Sequence, residues 1–155
     1  MSPRRTDRAV AEAAPLEAAK AAAGARGAEE AARPRGTGSQ DPLVGELRRA
    51  GLLRLLVLHF LRDAPSYGGR LMERVGEVSG GLIAVNPNTM YPLLRELEAQ
   101  GMVAGEWEHP ERRSRRFYRL TEAGEAERRR LAHDLAPRLD AVAASLELIR
   151  AELRV

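Results

Sequence analysis

The sequence predicts a mainly α-helical protein with one small β-hairpin and a long C-terminal helix. Three observations point there. Apolar residues recur at helical spacing from about residue 46 onward, the period falls toward two only across residues 102–108 and 115–120, and a stripe stepping by fours and threes follows Thr121.

Residues 1–45 stand apart. They are rich in alanine, punctuated by Pro15, Gly24, Gly27, Pro34, Gly36, Gly38 and Pro42, with Val10, Leu16, Leu43 and Val44 as almost the only large apolar residues. Such a stretch buries too little surface to offset its ordering entropy, so it reads as a disordered tail, with a transient helix around residues 9–23 where alanine dominates. Its mixed charges argue against a dedicated basic arm.

From Glu46 the texture changes. Leu47, Leu52, Leu55, Leu56, Leu58 and Phe60 describe a helix apolar nearly all round, as a central core helix is, ended by Pro65. A second helix is expected from Ser66 or Tyr67, carrying Leu71, Met72, Val75 and Val78 and stopped by Gly80 and Gly81. The third has the clearest grammar. Asn86 is placed to cap it, Pro87 takes the first helical position, and Gly101 suits its left-handed exit. Met90, Leu93, Leu94 and Leu97 make its inner face; Asn88, Tyr91 and Arg95 make the opposite one. Pro92 and Pro137 are expected to distort the helices that hold them.

The hairpin strands, MVAGEWE and RRFYRL, are joined by HPERRS, and Trp107 and Phe117 are expected to pair across them. A ligand-stacking role for Trp107 is the alternative. Thr121 caps the last helix, with Glu122 and Glu125 favourably placed against its N-terminal dipole. Three helices followed by a hairpin is the order of a winged helix-turn-helix, spanning residues 46–120. Residues 121–155 then read as a C-terminal dimerisation helix, since Leu135, Leu139, Val142, Leu146, Ile149 and Leu153 form a heptad-like seam on a helix long enough to overhang a three-helix body.

Composition narrows the function classes. The chain of 155 residues has no cysteine, which excludes disulfides, thiolate zinc sites and cysteine nucleophiles. His59, His109 and His133 lie far apart; His59 reads as a core or interface residue. No Ser/His/Asp arrangement, glycine-rich phosphate loop or paired carboxylate setting is present, so an enzyme is disfavoured and neither cofactor nor metal is expected. The longest apolar run, residues 52–61, is about half a bilayer span and is interrupted by Arg54 and His59. With no secretory pattern at the start, a soluble cytoplasmic protein without membrane association is the expectation. The net charge of +3 is small, so the placement of the 25 basic residues matters more than their sum; Lys20 is the single lysine.

That placement suggests double-stranded DNA. In a helix-turn-helix the second helix of the pair enters the major groove. Asn88, Thr89, Tyr91 and Arg95 are its outward candidates: asparagine suits adenine, arginine suits guanine, and hydroxyls suit phosphates. Tyr91 has a second reading, packing against the wing. Tyr67, opening the preceding helix, joins the set. Arg112, Arg113, Arg115 and Arg116 cluster at the hairpin tip as a phosphate or minor-groove footprint. Strand alternation places Arg115 with Phe117 on one face and Arg116 with Tyr118 on the other, so some of these arginines must serve the fold. The competing reading is a winged helix for protein–protein contacts without DNA binding.

Four blocks now carry a resemblance: SYGGRLMERV, NPNTMYPLLRELEAQGMV, GEWEHPERRSRRFYRLTEAG and the long helix after them. Together they resemble the PadR family of transcriptional regulators over residues 46–131, in its smaller subgroup with one C-terminal helix. Gly69 departs from the larger residue often found there, and residues 1–45 fall outside the likeness. The resemblance implies a homodimer joined by the C-terminal helix, a pseudo-palindromic operator, a role as repressor and, in many members, response to a small-molecule effector. No aromatic residue follows Tyr118 to line such an effector's pocket at the dimer interface.

Overall fold

The structure, a computed structural model, describes residues 15–21 and 42–154. Residues 15–21 are helical (α1). Then come α2 (Pro42–Arg49), α3 (Leu52–Asp63), β1 (Ser66–Tyr67), α4 (Gly68–Val78), α5 (Pro87–Ala99), β2 (Val103–Trp107), β3 (Arg116–Leu120) and α6 (Glu122–Leu153). The helices carry a small antiparallel sheet in the order β1–β3–β2. This is the expected winged helix with a long C-terminal helix.

Helix α3 is the spine. Val57 and Leu58 on it are fully buried against Leu71 and Val75 of α4, Met90, Leu94 and Leu97 of α5, Val103 of β2, and Leu131 of α6. Burial on several sides explains why this stretch reads as apolar nearly all round.

Three expectations about the elements change. The first helix is two: Gly51, at a φ of 99°, breaks it and lets α2 begin at Pro42 rather than at Glu46. That φ is strained for any residue bearing a Cβ. Ser66 and Tyr67 do not open α4 but form β1, with Ser66 opposite Tyr118 and Tyr67 opposite Phe117. A two-residue strand leaves no periodicity to read, so in sequence it cannot be told from the start of the helix that follows. Val78, expected on α4's inner face, is exposed at that helix's last turn.

Much of the expected tail, residues 1–14 and 22–41, lies outside the described residues, as do both ends of the helix expected over residues 9–23. Within it, Leu16 of α1 is buried against Tyr67 and Phe117. One leucine therefore gives the alanine-rich segment an apolar anchor on the sheet.

The exit from α5 is built as the sequence indicated. Gly101 adopts a φ of 73°, and Thr121 caps α6 by accepting the Gly124 N–H at 3.1 Å. The Thr121 hydroxyl also donates to the Gly101 carbonyl at 2.6 Å, tying the start of α6 to the end of α5. The hydrogen bond from Arg128, opposed by desolvation and reinforced by a further bond from Arg129, holds the Glu125 carboxyl down to about 2. Helix α6 continues through Pro137 to Leu153, 32 residues in all, or about 48 Å at 1.5 Å per residue. Among the described residues no helix is long and apolar enough to cross a membrane.

Candidate nucleic-acid interface

Helix α5 is positioned from below by Met90, Leu94 and Leu97, which turns its opposite side to solvent. Asn86 is the cap: its side-chain oxygen accepts the Thr89 N–H at 3.1 Å and faces the Thr89 hydroxyl at 3.4 Å. It is thereby committed to the backbone. Asn88, Tyr91 and Arg95 are brought together on the exposed side, and Arg95 makes no ion pair with another described residue.

Two of the helix candidates sit differently from expectation. Thr89 faces sideways, lining with Leu93 and Glu96 a cleft of about 520 Å³ that Arg48, Arg49 and Arg54 border from α2 and α3. Tyr91 does not lean on the wing. Its ring lies over Gly68 at the start of α4, so closely that a Cβ there would come within 2.7 Å of Tyr91 Cε1. Gly68 leaves the space in which α4 and α5 meet at their N-terminal ends.

The wing divides its arginines into two pairs. Arg112 and Arg113 are exposed at the tip, and neither makes an ion pair with a described residue. The loop beneath them is stitched: Ser114 Oγ accepts the His109 N–H at 2.9 Å and donates to the His109 carbonyl at 3.0 Å, while the Glu108 N–H donates to the Arg115 carbonyl at 2.7 Å. Arg115 and Arg116, also expected to contact DNA, are partly buried and engaged by neighbours within the fold. Arg115 makes a two-pronged pair with Glu108 at 3.0 and 3.1 Å and lies 4.6 Å from the centre of the Tyr67 ring. That hydrogen bonding holds the Glu108 carboxyl below the usual carboxylate range. Arg116 is bonded to Glu98 at the end of α5 and sits over Trp107, 5.1 Å from its ring centre. Gly105 makes room for it, since a Cβ there would meet Arg116 Nε at 2.6 Å. Arg116 thus fastens the wing to α5.

Tyr67 is also spent on structure. It is 6 % exposed and packs its ring against Phe117, tilted by 54° with the ring centres 5.4 Å apart. The expected Trp107–Phe117 pair is not formed, because the strand register sets Trp107 opposite Arg116 and Phe117 opposite Glu106, on alternate faces. Sequence reading missed Glu98, Gly68 and Gly105 as parts that set this interface. The carboxylate was one of several on α5, and the two glycines matter only through neighbours distant in sequence.

The seam of α6 changes character along its length. Leu135 is 2 % exposed, Leu139 is partly buried against the same core, and Val142, Leu146, Ile149 and Leu153 are exposed, the last at 64 %. Every described residue from Asp140 onward is exposed.

Comparison with known proteins agrees with this architecture. Residues 57–130 match the model of the transcriptional regulator PadR-like family. The chain is similar to the transcriptional regulator Rv3488 of Mycobacterium tuberculosis, 39 % identical over 94 residues that cover 59 % of this chain and 84 % of that protein. A PadR family transcriptional regulator from Eggerthella lenta, solved by crystallography, superposes with a TM-score of 0.54 at 37 % identity, covering 68 % of this chain and 89 % of that one. A transcriptional regulator from Clostridium thermocellum shares the fold at a TM-score of 0.56 and 17 % identity, over 64 % of this chain and 96 % of its own. The chain belongs to the PadR-like family of transcriptional regulators, DNA-binding winged-helix proteins rather than enzymes.

Proposed function

We propose that two copies of the chain, joined along α6, read a pseudo-palindromic operator as a repressor. Each α5 would enter a major groove through Asn88, Tyr91 and Arg95, with Thr89 at the groove's edge. Arg112 and Arg113 would grip the flanking backbone. One observation carries this reading: of the wing's four clustered arginines, the two without ion pairs among the described residues lie at the tip, while the other two brace the wing against β1 and α5. A surface selected only for solubility would not need that division. Two recognition helices about one helical turn apart, ~10 bp, follow for a two-fold dimer.

Repression and response to a small-molecule effector rest on the family likeness. An effector acting at the α6 seam would meet aliphatic side chains, because no aromatic residue follows Tyr118.

The test is a binding titration on the DNA upstream of the protein's own gene between about 50 and 200 mM salt. The wild type is expected to form a sequence-preferring complex that weakens steeply with salt. Reversing charge at Arg112 and Arg113 together should leave thermal stability unchanged, weaken binding at least about tenfold, and flatten the log–log salt slope by about 2, one ion per lost phosphate contact. Unchanged affinity and slope would instead favour a winged helix used for protein–protein contacts.

A further inference from the structure

Arg54 is an anomaly in α3. It sits in the most apolar helix of the described residues, its side chain is 19 % exposed, and it reaches two other helices and the link between α5 and β2. Its Nε lies 3.5 Å from a Glu127 oxygen on α6. One terminal nitrogen lies 3.9 Å from Glu96 on α5. The other donates to Gln100, just past α5, and lies 3.0 Å from the Met102 sulfur before β2. A guanidinium is suited to this, being a rigid planar fork with five donors.

We propose that Arg54 is a positioning residue that sets the angle between the reading helix α5 and the dimerisation helix α6, and so sets the half-site spacing the dimer accepts. The inference rests on the dimeric DNA reading above and goes further, by assigning spacing to one side chain whose polar contacts, as just described, all join elements of its own chain. Taking charge out of water costs roughly what its pairing returns, so a partly buried ion pair is weak evidence for stability and better evidence for fixed geometry. The lever is short but sufficient. Eight residues separate Glu96 from Asn88, about 12 Å along the helix axis. A tilt of about 5° moves the reading end by about 1 Å in each subunit, so the two ends shift by about 2 Å against a base-pair rise of about 3.4 Å. Such an error decides whether both helices meet their grooves together.

The experiment is a titration of the full chain against its operator and against versions with one or two base pairs inserted or removed between the half-sites. Wild type should show one optimum, with affinity falling about tenfold or more at two base pairs of error. Arg54→Met should lose affinity for the optimal spacing and retain it for the ±1 versions, so that the spread between them collapses to about threefold or less. Glu127→Gln, which cuts the α6 arm, and Gln100→Ala, which cuts an α5 arm, should flatten the profile in the same sense. They decide the matter should Arg54→Met fail to fold. Glu127 also holds Arg130, its oxygens 2.6 and 3.0 Å from that guanidinium, so Arg130→Gln serves as the control and should keep the wild-type profile. An equal loss at every spacing in the variants would mark Arg54 as merely structural and overturn the proposal. A wild type with no spacing preference would bring down the dimeric reading together with this inference. A wild-type optimum preserved in all the variants would bring down the inference alone.

Discussion

If α6 joins two copies as proposed, placing aspartate at both Leu146 and Ile149 should leave a folded monomer and lower operator affinity by at least about 100-fold. Both positions are exposed in the single chain, on the part of α6 that extends beyond the protein's own core. The substitution therefore removes nothing from the winged helix itself. In a dimer the same positions would bury two carboxylates per subunit in an apolar seam, and unpaired charges there are strongly unfavourable. The loss of affinity follows from geometry: two half-sites read by one rigid body bind more tightly than either alone by about 10² to 10⁴ without any new contact. Sedimentation at micromolar protein reads the mass, far-ultraviolet dichroism the retained helix, and an operator titration the affinity. Leu148 supplies the control. It is 73 % exposed but off the seam, so Leu148→Asp should stay dimeric and bind normally. A double variant that stays dimeric with full affinity would place the interface elsewhere.

What could be read from the sequence was whatever repeats locally. The periodicity of α5, its Asn86 cap and its Gly101 exit all act within one helix length, and they were readable with no tertiary knowledge. The capping of α6 by Thr121 is of the same kind. What escaped depends on pairing across long sequence separations. Strand β1 is two residues long and exists because β3 offers it a partner some fifty positions away. The wing register could not be deduced from two runs with period two, and a shift of one residue moves every side chain to the other face. That shift separates Trp107 from Phe117 and gives Phe117 to Tyr67 instead.

The site shows the same boundary more sharply. A run of arginines at a hairpin tip looks uniform in sequence. Its division depends on where Glu108 and Glu98 lie, one across the hairpin and the other at the end of a separate helix. Tyr67 moved from candidate contact to buried brace for a related reason, since its position was right for a helix start but wrong for the strand it occupies. The outward face of α5 was legible because it is the complement of a core face that the apolar pattern defines.

Two glycines in helices should respond to the same substitution with opposite signs, and the larger response is a loss. Alanine stabilises a helix interior relative to glycine by about 1 kcal/mol where nothing obstructs the added methyl. At Gly76 in α4 nothing lies within 4 Å of the added carbon, so Gly76→Ala should raise the melting temperature by several degrees. At Gly124, in the first turn of α6, the same carbon would sit 2.0 Å from the Met102 carbonyl oxygen and 2.7 Å from Leu120 Cδ1. The first obstacle is backbone, so no rotamer change relieves it; α6 must retreat from β2 by about 1 Å or more. That retreat pulls on the Thr121 N–H to Met102 carbonyl bond at 3.1 Å, on the 2.6 Å bond to Gly101, and on the cap itself. Overpacking of about 1–3 kcal/mol and a weakened cap of about 1 kcal/mol outweigh the propensity gain. The net loss of up to about 3 kcal/mol corresponds to a fall of roughly 10–20 °C for a domain of this size. Because the melting temperature of the proposed dimer would depend on concentration, all three proteins belong at one protomer concentration. A Gly124→Ala protein that melts at or above the wild-type temperature would show that α6 does not approach β2 as closely as this packing requires.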